Sequence, residues 1–98
     1  MADSLTSTHE WLDTVAEDLG ADPALVRELV GDILDMTAAV AHNGPSRPAA
    51  PTTAFVVGLA AGQRFGALGG SADEVRTMIA QVEQLLTTYQ PAEEQDAE

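Results

Sequence analysis

The sequence has no cysteine and no lysine, and only four of its 98 residues are aromatic. Without cysteine, the chain can form neither a disulfide framework nor a thiolate metal site, and thiol redox chemistry is excluded. Without lysine, it lacks a Schiff-base nucleophile and the lysine that a phosphate-binding P-loop requires. At this length, the chain is expected to form one domain with a single modest core.

Positive charge is also scarce, because four arginines stand against sixteen acidic residues and give a formal net charge of −12. A chain of this charge repels phosphate backbones and anionic membrane surfaces. We therefore expect neither a nucleic-acid nor a membrane partner, and a basic protein becomes the favoured kind of partner. Residues 1–4 lack the basic head and apolar run of a signal peptide, so a cytoplasmic location is predicted.

The apolar pattern has helical periodicity throughout and predicts an all-α bundle of four helices. These helices lie near residues 8–19, 23–42, 51–64 and 72–90. We expect a flexible N-terminus at 1–6, a single helical domain at 7–90 and a disordered acidic tail at 91–98. The short connections favour antiparallel neighbours.

Capping signals mark the starts of three helices. Ser7 to Glu10 and Ser71 to Glu74 both have the spacing of a capping box, and Asp22 followed by Pro23 is typical of a helix start. Gly20 supplies a left-handed residue that ends the first helix. In the second helix, Gly31 leaves open a break into two shorter helices.

Trp11 and the third and fourth helices carry the main packing predictions. Trp11 is interpreted as a core anchor, with an interface role as the alternative. Two glycines in the third helix, Gly58 and Gly62, cost roughly 1 kcal/mol each relative to alanine, which predicts close approach of another helix backbone. The apolar stripe of the fourth helix indicates a core-facing side, and a homodimer seam through this helix stays the alternative. The stripe consists of residues 75, 78, 82, 85 and 89.

No arrangement of catalytic groups is visible in the sequence, so the chain is predicted to be no enzyme and to hold no metal or cofactor. His42 near the end of the second helix is explained by the favourable helix dipole. Arg47 precedes the predicted helix start at Pro51, and with the hydroxyls of Thr52 and Thr53 it could form an anion site at free helix amides. The competing interpretation is that Arg47 pairs with a carboxylate and the threonines act as caps.

The run from Arg47 to Gly62, together with Trp11-Leu12 and the Ala41-His42 turn, resembles a small actinobacterial helical domain of unknown function. The most specific part is the Arg-Pro-Ala-Ala-Pro block at 47–51. The resemblance implies an association with molybdenum-cofactor biosynthesis, because similar domains are fused to or associated with the guanylyltransferase that attaches a guanine nucleotide to molybdopterin. It assigns no activity to the domain itself.

Two functions follow as expectations. The first is a non-catalytic accessory or protein-interaction module that docks through the loop from His42 to Thr53, on that guanylyltransferase or another basic protein. Pro48 and Pro51 stiffen this loop and lower the entropy lost on binding. The alternative is a domain that binds a small phosphorylated ligand, a nucleotide or a pterin, with Arg47 and the N-terminus of the third helix.

Overall fold

The computed structural model describes residues 3–66 and 70–89, and all regular structure within them is helical. The four helices are α1 (Asp3–Leu19), α2 (Pro23–Asn43), α3 (Ala49–Phe65) and α4 (Ala72–Thr88). This confirms the predicted all-α fold of four helices. The predicted tail, 91–98, lies outside the described residues. No helix in the described part of the chain is long and apolar enough to cross a membrane.

Helix α2 is the central element of the fold. It packs against each of the other three helices, and α3 and α4 also contact each other. Within the described residues α1 contacts only α2. The described part of the chain is therefore a three-helix core to which α1 is attached through a single neighbour.

Local signals at the start of α2 and its continuity explain its central place. The Asp22 carboxylate accepts a hydrogen bond from the Ala24 amide at 2.9 Å, and Pro23 occupies the first helical position, as the sequence predicts. The helix runs without interruption through Gly31, so the alternative of a break there is wrong. Because α2 is continuous, this one helix can pack against all three of its neighbours.

The core lies between α2, α3 and α4. Among the residues whose burial the structure describes, Met36 of α2 is the most deeply buried, with no exposed surface. The buried residues that surround it come from all three helices and are Leu29, Val57, Ala61, Ala72, Val75, Met78 and Ile79. They confirm that α4 turns its N-terminal apolar stripe to the core.

The capping box that opens α4 is formed in full. The Ser71 hydroxyl accepts from the Glu74 amide at 3.2 Å, and the Ser71 amide donates to the Glu74 carboxylate at 2.8 Å. The box acts within four consecutive residues, so the sequence alone suffices to predict it.

The first helix begins earlier than predicted. It starts at Asp3, so the predicted capping box at Ser7 to Glu10 lies inside the helix and residues 3–6 are helical. Aspartate and serine at positions 3 and 4 are as suited to a helix start as Ser7, so the sequence offers more than one starting point. The predicted end is confirmed, because Gly20 has a φ of 80°.

Trp11 is not a core anchor, because 66% of its surface is exposed. Leu19 is 76% exposed, whereas Ala16 on the same helix is buried. The reason is that α1 has one neighbour among the described helices and buries only a narrow stripe, whereas the prediction assumes a helix surrounded by a bundle.

The predicted close approach at the glycines of α3 is also wrong. A Cβ added at Gly58 or Gly62 would meet no described atom within 4 Å. The residues through which α3 enters the core are Val57 and Ala61. A smooth helix surface permits close approach without requiring it, and here the glycine side borders an open concavity between α2 and α3.

Helix α3 begins two residues before the predicted start. Pro48 is its N-cap residue and Pro51 is its third helical residue, so Ala50 is helical although a proline follows it. A proline is tolerated in the first turn because amides there have no partner within the helix. Pro48 therefore lies in the turn before the helix and Pro51 lies in the first turn of the helix, and neither proline breaks α3.

Ion pairs of two arginines join helices to α2. Arg27 of α2 pairs with Asp13 of α1. Arg76 of α4 donates from Nε to Asp32 of α2 at 2.9 Å, and it also pairs with Asp73 at 3.1 Å. The hydrogen bond to Asp32, together with neighbouring carboxylate charge, raises the pKa of the Arg76 guanidinium above its ordinary value.

Candidate functional site

A large apolar concavity lies where the end of α2, the loop before α3, the first half of α3 and the end of α4 meet. Its volume is about 580 Å³. We call it the α3–α4 groove. The loop and α3 supply Pro45, Ser46, Pro48, Ala49, Thr52, Thr53 and Val56, while α2 and α4 supply Val40, Val82, Leu85, Leu86 and Tyr89. None of these lining side chains carries a formal charge.

A second concavity continues the groove towards the C-terminal end of α3. It has a volume of about 260 Å³, and it shares Val56, Val82 and Leu85 with the groove. Arg64 lies at its far end. The two concavities together follow α3 from Ala49 to Arg64, a length of about 22 Å at 1.5 Å per residue.

The groove exists because the apolar stripe of α4 extends beyond the core. Val75 and Met78 are buried, but Leu85 is 59% exposed and Tyr89 is 49% exposed. The stripe predicted at five positions therefore faces the core only in its first part. On α3, Val56 is similarly exposed and forms the facing wall.

The loop before α3 is hydrogen-bonded to the end of α2 and lies close to α4. The Gly44 amide donates to the Val40 carbonyl at 2.9 Å. A Cβ at Gly44 would lie 2.7 Å from that carbonyl oxygen and 3.2 Å from Cδ2 of Leu86. Only glycine fits this position, next to Pro45 of the groove wall, without a shift.

The structure brings together three of the six site residues that the sequence predicts. Pro48, Thr52 and Thr53 line the groove. His42, Arg47 and Pro51 are exposed and lie outside its lining. Sequence reasoning misses the α4 residues opposite the loop, although their continuation of the apolar stripe is a visible signal.

The N-terminus of α3 does not offer the free amides that an anion site needs. The Ala50 amide donates to the Arg47 carbonyl at 3.0 Å, and the Ala49 amide donates to the Ser46 carbonyl at 3.3 Å. Pro51 has no amide hydrogen, and the Thr52 hydroxyl donates to the Pro48 carbonyl at 3.2 Å. These two amides and this hydroxyl are thus already used within the turn.

Charge is strongly segregated along the chain. No acidic residue occurs between Asp35 and Asp73, and this stretch contains Arg47 and Arg64. Neither of these two arginines forms an ion pair with the described residues, in contrast to Arg27 and Arg76. The loop and α3 therefore form a neutral to positive surface on an acidic protein.

Helix α1 carries a second exposed apolar surface, which we call the α1 stripe and define as Trp11, Val15 and Leu19. These residues recur every four positions and border a shallow concavity of about 480 Å³. Glu17 and Asp18 line the same concavity. The α1 stripe is thus apolar with acidic neighbours.

Within residues 3–66 and 70–89, no group of three or more histidine, aspartate or glutamate side chains could hold a metal ion. The two histidines lie on different helices, His9 on α1 and His42 in the last turn of α2. Nδ1 of His9 is shielded from solvent and has no hydrogen-bond partner in the described structure.

Comparison with known proteins places the chain in a family without adding an activity. No curated protein and no solved structure is significantly similar to it. Residues 3–95 match the model of a family described as a domain of unknown function, DUF6457. Because this match extends over nearly the whole chain, the protein belongs to the DUF6457 family of domains of unknown function.

Proposed function

We propose that this domain is a non-catalytic protein-interaction module that binds a segment of another protein chain in the α3–α4 groove, beside the loop from His42 to Thr53. The observation that carries the proposal is an uncharged, apolar groove of about 580 Å³ on a small and otherwise acidic protein. Concave apolar surfaces with a polar surround are typical of binding sites.

The shape of the groove favours a helical segment. With its continuation it follows α3 for about 22 Å, which corresponds to about four turns of an α-helix. A partner helix that places apolar residues at spacings of three and four would meet Val56, Leu85 and Tyr89 along one side. A small round ligand would use only part of this length.

The rigidity of the wall also favours binding. Pro45 and Pro48 restrict the backbone of the loop, and Gly44 packs it against Leu86. A wall that is ordered before binding loses less conformational entropy when the partner arrives. The fixed loop thus raises affinity without adding contacts.

The proposed partner is a molybdenum-cofactor guanylyltransferase, and the support for this is the sequence resemblance over Arg47 to Gly62. The net charge of −12 favours a partner that is basic overall. At the groove itself the nearby charges are Arg47 and Arg64, so the inserted segment is expected to be apolar and without basic residues.

The alternative of a phosphorylated small ligand has less support. Arg47 is exposed and unpaired within the described residues, but the amides of Ala49 and Ala50 are occupied. A nucleotide or pterin phosphate would therefore meet one arginine without the amide cradle that normally holds it.

The test is a calorimetric titration of the purified guanylyltransferase with the wild-type domain and two variants. Val56→Asp places a charge in the groove, whereas Leu34→Asp changes a similarly exposed apolar residue of α2 outside it. We expect Val56→Asp to weaken binding at least about tenfold, which corresponds to about 1.4 kcal/mol, and Leu34→Asp to bind as the wild type does. Equal binding by both variants would place the interface elsewhere, and no binding by the wild type would exclude this enzyme as the partner.

A further inference from the structure

We propose that the α3–α4 groove binds helix α1 of a second copy of this chain, which gives a two-fold homodimer with two equal α1-in-groove contacts. The proposal rests on the proposed function, because it names the occupant of the same groove. Self-association and the binding of any other protein then compete for one site.

The first support is the unpartnered α1 stripe. Trp11 and Leu19 are 66% and 76% exposed, although both belong to an apolar helix face. Tryptophan is enriched among the residues that dominate binding energy at protein interfaces. An exposed tryptophan and leucine two turns apart are the anchors expected of a helix that enters a groove.

The second support is charge complementarity. Helix α1 has five acidic residues and no lysine or arginine, and Glu17 and Asp18 flank the α1 stripe. The groove is flanked by Arg47 and Arg64 in a stretch of chain without acidic residues. Opposite charges around two apolar centres fix the register and orientation of a complex.

The third support is geometric. The α1 stripe from Trp11 to Leu19 is about 12 Å long, and the groove with its continuation is about 22 Å long. The groove volume of about 580 Å³ accepts a side chain as large as an indole ring. Within its own chain, α1 packs only on α2 in the described structure, so an α1 helix that fills the groove has to come from another copy.

Symmetry explains why the contact is expected twice. Each copy carries one α1 stripe and one groove. A two-fold arrangement satisfies both at once and closes the assembly, whereas a single contact would leave one of each free and lead to open chains. The net charge of −12 on each copy opposes association at long range, so the dimer is expected at about 0.15 M salt, where repulsion is screened beyond about 8 Å.

The experiment is sedimentation equilibrium of the full chain at about 0.15 M NaCl and up to about 100 µM protein. The wild type and the control Leu34→Ser are expected to be dimers. Trp11→Ser removes the anchor of the α1 stripe and Val56→Asp blocks the groove, so each variant alone is expected to dissociate at least about tenfold more readily. Circular dichroism verifies that both variants are folded, and both changed side chains are largely exposed in the wild type.

Mixing the two variants separates this proposal from other dimers. Trp11→Ser retains an intact groove and Val56→Asp retains an intact α1 stripe, so an equimolar mixture is expected to form a heterodimer through one restored contact. An α4–α4 seam would not be rescued in this way. A charge exchange gives a second readout, because Asp18→Arg is expected to recover association with an Arg47→Glu, Arg64→Glu variant.

A wild type that stays monomeric at about 100 µM would overturn the homodimer. So would variants that dimerise as the wild type does, or a mixture that does not associate. None of these results would alter the calorimetric titration of another protein with Val56→Asp, so failure of the homodimer and failure of the groove as a binding site are distinguishable.

Discussion

Met36 is the residue on which the packing of α2, α3 and α4 converges, because its side chain has no exposed surface. Shortening it to alanine leaves a cavity that neighbouring helices fill only in part. We expect Met36→Ala to lower the free energy of unfolding by about 2–5 kcal/mol in urea denaturation.

Leu34→Ala is the matched control for that change. Leu34 lies two residues away on the same helix and is 47% exposed, so its truncation is expected to cost less than about 1 kcal/mol. If Met36→Ala and Leu34→Ala lowered the free energy of unfolding by similar amounts, the core would not centre on Met36.

Substitution by alanine is expected to have opposite effects on stability at Gly44 and at Gly31. A Cβ at Gly44 would lie 2.7 Å from the Val40 carbonyl oxygen, so the loop has to shift to make room for it. We expect Gly44→Ala to destabilise the domain by about 1–2 kcal/mol, as overpacking does. A Cβ at Gly31 meets no described atom within 4 Å in the middle of α2, so Gly31→Ala is expected to stabilise it by about 0.5–1 kcal/mol.

Thermal unfolding of the two glycine variants side by side measures this difference. The same two variants also test binding in the α3–α4 groove, because a shifted loop moves Pro45 and Pro48. Weakened groove binding by Gly44→Ala, with normal binding by Gly31→Ala, is expected. A stabilised Gly44→Ala variant would show that the loop does not pack against α4.

Among the helices, α2 and α4 are joined by the guanidinium of Arg76, which contacts Asp32, Asp73 and Glu28. The pKa of Arg76 is raised in the folded state, so the protonated form favours folding. A raised pKa gives stability that is fully present below the unfolded pKa and is lost only as the pH rises through the folded pKa. For an arginine, that loss falls in strongly alkaline solution.

We therefore expect Arg76→Gln to lower the melting temperature by a nearly constant amount between about pH 6 and about pH 9. Arg47→Gln, which removes an exposed arginine without an ion pair in the described structure, is the control and is expected to have a smaller effect. If the difference in melting temperature between Arg76→Gln and the wild type disappeared between these two pH values, the charge of the Arg76 guanidinium would not be what stabilises the fold.

Helix boundaries are predictable where they depend on neighbouring residues in the sequence. The caps at Asp22 and Ser71 involve hydrogen bonds across two or three residues, so their side chains specify them. The predicted start of α1 is wrong because several early residues suit a cap. The start of α3 lies two residues before the predicted one because a proline is compatible with more than one position of the first turn.

Contacts between helices are much less predictable. An apolar stripe shows that a side of a helix is apolar, but it does not show which element covers it. For this reason the assignments of Trp11 to the core and of Gly58 to a close helix contact are both wrong. The same limit explains the candidate site, where the sequence predicts the loop side with Pro48 and Thr52 and misses the facing side with Leu85.

For the whole molecule, the dominant feature is the unequal distribution of its net charge of −12. Nine of the sixteen acidic residues occur at or before Asp35, in α1, α2 and their connection. The next stretch, up to Asp73, has none. Repulsion among carboxylates is therefore concentrated in the first two helices, and the arginines at 27 and 76 offset only part of it.

Added salt is expected to stabilise the folded domain for this reason. Raising NaCl from about 10 mM to about 200 mM shortens the screening length from about 30 Å to below about 10 Å. Pairs of carboxylates that repel each other outnumber the ion pairs of Arg27 and Arg76. Screening by salt therefore weakens more repulsion than attraction. We expect the melting temperature to rise by a few degrees, which corresponds to an increase in the free energy of unfolding on the order of 0.5–1 kcal/mol.

The measurement uses the Trp11→Ser background at low protein concentration, so that self-association does not contribute. Neutralising two α1 carboxylates, Glu17→Gln and Asp18→Asn, is expected to reduce the salt effect, and sucrose at equal osmolality is the control for stabilisation that does not arise from screening. A melting temperature that falls with salt would mean that the ion pairs at Arg27 and Arg76 outweigh the repulsion. In that case short-range pairing, rather than the long-range field of the carboxylates, would govern the stability of the two acidic helices.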